Sequence, residues 1–256
     1  MILEAAHFAA SYVITPRAFR PHLGSSVSLW SRASRCASAW KTHEENCHRT
    51  ILDAAGQLPS RRTCVVLGSG LLRDVPIEAL ARAFDTVILF DLVHLASVRL
   101  RLAGKRLSNV RLVHRDLAAG GDGPLAFLAG VPYLDLVISA NLLSQIGIGA
   151  ARELAKRAPE LDDAARSAVI RPLLDAHVKG LAALPCPALL ITDVAFDILD
   201  PTGTVMERVD LMHGLPMPQP DRAWSWPVAP QGEISKTYAL SHAVTTHLYN
   251  APRRRG

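Results

Sequence analysis

The apolar positions of this chain gather into five short runs, with helix-period segments between them. The runs are residues 64–67, 86–90, 109–113, 134–141 and 188–193, each of strand length and rich in Val, Ile and Leu. The first, Cys64-Val65-Val66-Leu67, shows no alternation, as expected of a parallel strand covered on both faces. The third, Asn109-Val110-Arg111-Leu112-Val113, alternates in part and suits a strand near a sheet edge. Between the first two runs Ile77, Leu80, Ala81 and Phe84 recur at helical spacing, with Asp74 in the N-cap place and Pro76 in a first turn. A further helix is expected over residues 94–103, its apolar side Leu95, Val98, Leu100 and Leu102, and Arg99, Arg101, Lys105 and Arg106 solvated. Residues 150–183 are helical by period and divide in two, since Pro159 and Pro172 each interrupt the hydrogen-bond ladder.

Ahead of the sheet, residues 12–16 end a first helix, 21–28 read as a loop, and 29–58 read as one helix. The apolar face of that helix is Trp30, Ala33, Ala37, Trp40, Cys47, Ile51, Leu52 and Ala55. Behind the sheet, residues 212–230 are proline-rich with Trp224 and Trp226 alternating, and 238–249 carry several β-branched residues, which together predict a hairpin. The fold class expected is α/β: a doubly wound, mostly parallel sheet with helices on both faces and a C-terminal antiparallel β-hairpin. Residues 1–60 form an N-terminal helical segment and 61–256 carry the sheet, within one globular unit.

With 256 residues, 49% of them apolar, a sizeable core is available. The net charge of +5 is diffuse, and the one dense basic run is Arg253-Arg254-Arg255. Aromatics make up 5% and no stretch interleaves them with basic residues, so a small-molecule partner is favoured over nucleic acid. Cys36, Cys47, Cys64 and Cys186 show no CxxC spacing and read as reduced thiols of a cytoplasmic protein. No apolar run reaches the roughly 18 residues of a membrane span. The acid-free stretch between Glu4 and Glu44, with Arg17, Arg20, Arg32 and Arg35, loosely resembles a transit peptide, but it runs on into helix-like sequence without a cleavage-like break.

The candidate chemistry sits in residues 63–91, which read as strand, glycine loop, helix and strand closed by an acid. Gly68 and Gly70 allow a sharp turn and let a ligand lie against the main chain. Asp91, about 20 residues on, can accept hydrogen bonds from both hydroxyls of an adenosine ribose. Two adenosine ligands fit that pattern, NAD and S-adenosylmethionine. The dinucleotide fingerprint wants a third glycine where Arg73 stands, and Asp74 would set a like charge beside a pyrophosphate. S-adenosylmethionine has no phosphate and tolerates the acid.

Val66-Leu67-Gly68-Ser69-Gly70 followed by Leu89-Phe90-Asp91 resembles the first two motifs of class I S-adenosylmethionine-dependent methyltransferases. Many members also have an acid before the glycines and a third glycine after them, and this chain has neither. The resemblance implies a Rossmann-like domain over 61–256, a lid over 1–60, and S-adenosylmethionine as cofactor. It implies backbone contact at Gly68, Ser69 and Gly70 and ribose contact at Asp91. Asp116 falls where the family binds the adenine amine, and equally where an Asp caps a loop. Ser139 and Asn141 leave the fourth strand at its ligand-facing end, and Asn141 is a candidate ligand or substrate contact. The Pro-Pro-aromatic exit of nitrogen methylases is replaced by Ser-Ala-Asn-Leu, so that specificity is not implied.

Methyl transfer needs chiefly an in-line approach, because the sulfonium is already activated. No catalytic residue is assigned; His43, His94 and His242 are the first candidates for a base, with His247 also within the terminal hairpin. A zinc site at His43, Cys47 and His48 would need more convergent ligands than Cys36 supplies, so no metal is expected. Asp193, Asp197 and Asp200 read as caps and turn residues around Asp200-Pro201-Thr202-Gly203, and Gly120 to Gly123 as a turn lacking the Lys-Ser/Thr ending of a phosphate loop. Two other classes stay open, a non-catalytic scaffold of this fold and an NAD(P)-dependent oxidoreductase; against the latter, no Tyr-x-x-x-Lys dyad is present.

Overall fold

A parallel strand with no polar face needs cover on both sides, and the first apolar run has it. A computed structural model describes residues 2–118 and 123–251, and in it Thr63–Leu67 is strand β1, buried at all five positions. β2 (Thr86–Asp91) lies parallel to β1, with Leu67 opposite Phe90. β3 (Val110–His114) lies parallel to β2, with Asp91 opposite His114. Gly120 and the Arg253-Arg254-Arg255 run lie outside the described residues.

Contacts divide the chain into two compact units, Met1–Leu117 with Tyr133–Ile138, and Ala118–Pro132 with Ser139–Gly256. In the first, the strand order is β3-β2-β1-β4, where β4 is Leu134–Ala140. In the second, the end of β4 is followed by β5 (Ala188–Leu199), β8 (Ala239–Tyr249) and β7 (Arg222–Ala229), with β6 (Val205–Asp210) on β5. β5 with β6, β5 with β8 and β7 with β8 are antiparallel. The chain leaves β1 toward β3 and returns to β4, the doubly wound order, in which right-handed crossovers set helices on both faces.

The first unit opens with α1 (Ile2–Ile14), a 3-10 turn at Arg17–His22, α2 (Leu23–Arg35) and α3 (Ala37–Gly56). α4 (Ile77–Ala83) and α5 (Ala96–Gly104) join its strands. The first N–H groups of α5 have no partner within their own helix. α1 supplies partners for the first two: Ser11 Oγ accepts from Ala96 N at 3.0 Å and His7 Nε2 from Ser97 N at 3.3 Å. The second unit contains α6 (Leu143–Arg157) and α7 (Asp163–Ala182).

Several elements depart from the sequence pattern. Residues 21–28, expected as loop, are largely helix, because Ser25 and Ser26 turn their hydroxyls onto the His22 carbonyl while Leu23 and Val27 are buried. The helix expected over 29–58 is two helices hinged at Cys36. The hinge keeps its bonding, with Cys36 N donating to Arg32 O and Trp40 N to Cys36 O, so the apolar period hardly registers it. Asp74 does not cap α4, whose N-cap is Pro76. Pro172 sits inside α7 without ending it. Ile170, Leu174, His177 and Leu181 bury one face there, and that burial outweighs a proline cost of about 3 kcal/mol. α6 begins at Leu143 rather than near Ala150, and β5 runs past Asp193 to Leu199 through a register shift at Asp193/Ala195.

Two changes in β4 separate core from surface. Leu136 is fully buried, and Leu136→Ala is expected to cost about 2–5 kcal/mol. Its neighbour Asp135 binds the N–H and guanidinium of half-exposed Arg62, and Asp135→Asn is expected to cost under about 1 kcal/mol. Urea unfolding of both variants checks the order; equal losses would contradict it.

Candidate functional site

The turn after β1 uses the left-handed region twice, with Gly68 at φ 75° and Gly70 at φ 50°. Gly68 N and Ser69 N reach Phe90 O at 2.9 and 3.4 Å. Gly70 N donates to Asp91 Oδ2 at 2.7 Å, and Val93 N to Asp91 Oδ1 at 3.3 Å. The loop is thus strapped to the carboxylate that ends β2. Ser69 is fully buried, and its Oγ has no hydrogen-bond partner among the described residues.

Beyond the glycines, Leu72 also lies in the left-handed region, at φ 56°, and is fully buried. For a leucine that backbone costs about 1–2 kcal/mol, which side-chain burial of about 1.5–3 kcal/mol offsets. Neighbouring helices hold the segment. Arg101 Nη1 of α5 donates to Leu72 O at 2.8 Å while its fork grips Glu78. From α3, Glu44 pairs with Arg73 at 2.6 Å and His48 Nε2–H donates to Arg73 O at 2.8 Å.

At the end of β3, His114 Nδ1–H donates to Leu92 O at 3.0 Å and Nε2 accepts from Arg99 Nη2 at 3.1 Å. Phe19 stacks on the His114 ring at 5.5 Å. Arg115 N donates to Asp91 O at 2.9 Å, and the next residue, Asp116, is exposed. Gly68, Ser69, Gly70 and Asp91 are therefore drawn together by hydrogen bonds, with Asp116 at the adjoining strand end. Asn141 belongs to the second unit, where its N–H donates to Ile191 O at 2.8 Å and its φ is 48°.

The candidate histidines differ sharply. His43 is buried in α3 with Cys47 Sγ 3.6 Å from its Nε2, and His48 is engaged with the loop. His94 is fully buried, donates Nε2–H to Val113 O at 3.1 Å and lies edge-on to His114. His242 is different. Its Nδ1–H donates to Asp193 Oδ2 at 2.6 Å, and Ser144 Oγ donates to Asp193 Oδ1 at 2.5 Å. Asp193 is thus no cap, and sequence reasoning missed its role. Asp197 is no turn residue either, since it lies on β5 and pairs with Arg208; only Asp200 serves a turn, accepting from Thr202 N and Thr204 N. His247 reaches Thr245 Oγ1 at 3.2 Å.

No protein-family model matches the chain, and no curated protein matches its sequence. Among solved structures the chain is similar to the N-methyltransferase NodS from Bradyrhizobium japonicum in complex with S-adenosyl-L-homocysteine. The identity is 14%, over 78% of this chain and 86% of that one, at a TM-score of 0.38. It is similar to YcgJ from Bacillus subtilis at 9% identity, over 80% and 98%, TM-score 0.44. The glycopeptide N-methyltransferase MtfA complexed with S-adenosylmethionine shares 14% identity, over 77% and 92%, TM-score 0.35.

Burial sets the protonation of these groups. Desolvation raises Asp91 above the ordinary carboxylate value, against the N–H donors of Gly70, Val93 and Leu92 and the nearby His114. Desolvation also acts to raise Asp193, but its bonds to His242 and Ser144 prevail and hold it below that value. His94 and His177 are pushed down to about 4 by desolvation, His94 further by His114 and Arg99.

Because the unfolded chain protonates His94 and His177 first, their contribution to stability is complete above 6.5 and drains away as the pH falls towards about 4. Each accounts for on the order of 3 kcal/mol. Urea midpoints are expected to fall between about pH 7 and about pH 5, and His177→Gln to flatten that slope. An unchanged slope would place the titrating groups elsewhere.

Proposed function

We propose that this chain transfers a methyl group from S-adenosylmethionine to a small-molecule acceptor. The observation that carries the proposal is the strap between Gly70 N–H and the Asp91 carboxylate at the carboxyl ends of adjacent parallel strands. Such strand ends are where open α/β sheets take ligands. The residues fit an adenosine-bearing cofactor in three respects. A Cβ on Gly70 would meet nothing nearer than Gly68 O at 4.0 Å, so the turn presents open backbone. Gly70 N–H lies on Asp91 Oδ2 and Val93 N–H on Oδ1, with Leu92 N–H also acting on the carboxylate, and of the roughly four lone-pair sites of a carboxylate this leaves one for a ribose hydroxyl. The orphaned Ser69 Oγ calls for a partner that the chain does not supply.

The same geometry disfavours a dinucleotide. A pyrophosphate wants the first turn of a helix directly after the glycines, whereas here Leu72 and Arg73 follow and α4 starts only at Ile77. When bound, the cofactor supplies an activated methyl group on a sulfonium. The chain's own tasks are then positional. Gly68, Ser69 and Gly70 offer backbone, Asp91 holds the ribose, and Asp116 is the partner for the adenine amine. Residues 1–60 act as the lid, and Phe19 on His114 is the contact that supports this role. A cytoplasmic setting accords with four buried cysteines that form no disulfide among the described residues; no helix among the described residues is long and apolar enough to cross a membrane.

Titration calorimetry with S-adenosylmethionine, S-adenosylhomocysteine and NAD tests the proposal. Micromolar binding of the first two, about 8 kcal/mol, is expected, and none of NAD. Asp91→Ala is expected to weaken binding at least about tenfold, or 1.4 kcal/mol, with the fold retained by circular dichroism. Binding of NAD alone would overturn the proposal, and no binding of any of the three would favour a scaffold.

A further inference from the structure

The second unit contains a hydrogen-bonded set of three residues, Ser144, Asp193 and His242. Asp193 is almost wholly buried, so its charge must be met by hydrogen bonds. Both oxygens are met, Oδ1 by Ser144 Oγ–H from α6 and Oδ2 by His242 Nδ1–H from β8. An Nδ1–H held on a carboxylate fixes the imidazole tautomer and leaves the Nε2 lone pair free to accept a proton. The ring retains some exposure, with 14% of the side chain accessible, and Nε2 has no hydrogen-bond partner among the described residues.

The order Ser144-Asp193-His242 also excludes an acyl-transfer reading. In a nucleophilic triad the serine gives its proton to the histidine. Here Ser144 is fully buried and spends its proton on the far side of the carboxylate. It orients Asp193, and the reactive end of the chain of bonds is His242.

The surroundings define what approaches that end. Phe196 of β5 stacks on the His242 ring at 5.8 Å, and Trp226 of β7 meets it edge-on at 5.6 Å. The register explains the grouping, since His242 is opposite both Phe196 and Trp226 across its two neighbouring strands. His242 pairs with Asp193, and each oxygen of that carboxylate holds a hydrogen bond. The Asp193 side chain is only 1% exposed and offers nothing to an ammonium in solution. A flat, neutral ligand with a proton to give suits two aromatic faces and one lone pair.

We propose that His242, oriented by Asp193 and Ser144, takes the proton from an acidic hydroxyl of an aromatic or enolic ligand bound against Phe196 and Trp226. The O–H bond breaks with its electron pair left on oxygen, the proton forms an Nε2–H bond, and the imidazolium is balanced by the Asp193 carboxylate. No electron is exchanged.

The probe is 4-nitrophenol, whose phenolate has its own absorption band, added to the full-length protein with S-adenosylmethionine binding measured on the same sample. The bound probe is expected to hold about tenfold more phenolate than free probe at the same pH. His242→Gln is expected to abolish the excess, Ser144→Ala to reduce it, and Trp226→Leu to weaken probe binding, each with S-adenosylmethionine binding kept. Benzylamine is expected not to compete. Unchanged phenolate in His242→Gln, or preferential binding of benzylamine, would overturn the inference while leaving the cofactor assignment intact; loss of S-adenosylmethionine binding by the wild-type chain would overturn the cofactor assignment alone.

Discussion

One hydrogen bond organises the glycine turn, from Gly70 N–H to Asp91 Oδ2 at 2.7 Å. Residue 70 makes this bond from the left-handed conformation, at φ 50°, which a residue with a Cβ adopts at a cost. The carboxylate in turn stands where it does because β1 and β2 pair in a fixed parallel register, set by apolar side chains with no polar face to slip onto. Sheet core, turn and acid are therefore one construction, and a change in any of the three moves the others.

The residues that could be read from sequence are those whose partners lie within one strand-helix-strand unit. Gly68, Gly70 and Asp91 announce themselves because a turn and a strand end leave composition marks at short range. The apolar runs are equally plain, above all Cys64 to Leu67, which burial on both faces leaves without alternation. Other features leave no such mark. The hinge at Cys36 keeps its hydrogen bonds, so the helical period passes through it. Pro172 is tolerated because Ile170, Leu174, His177 and Leu181 are held by tertiary packing, a term that propensity does not contain.

The cluster around Asp193 shows the limit most clearly. Ser144 and His242 each stand 49 residues from Asp193, on a helix and a strand. Asp193 stands opposite Val244, two residues from His242 on β8, and the register shift at Asp193/Ala195, which the residue types do not foretell, sets Phe196 rather than Ala195 opposite His242. Taken singly, the acid resembles a turn residue and the histidine a strand surface residue. Only antiparallel pairing of β5 with β8 makes them a relay, and that pairing is a long-range event.

Leu72 carries a consequence for the thermodynamics of whatever binds beside it. A left-handed leucine, buried and gripped through its carbonyl by Arg101, leaves the loop few other conformations. Fixing a backbone residue costs about 1–2 kcal/mol of entropy, and in this loop that cost is met as the chain folds. A ligand then meets backbone donors already in place. Its heat-capacity change on binding would report the apolar area it covers, without the additional term of a segment ordering around it.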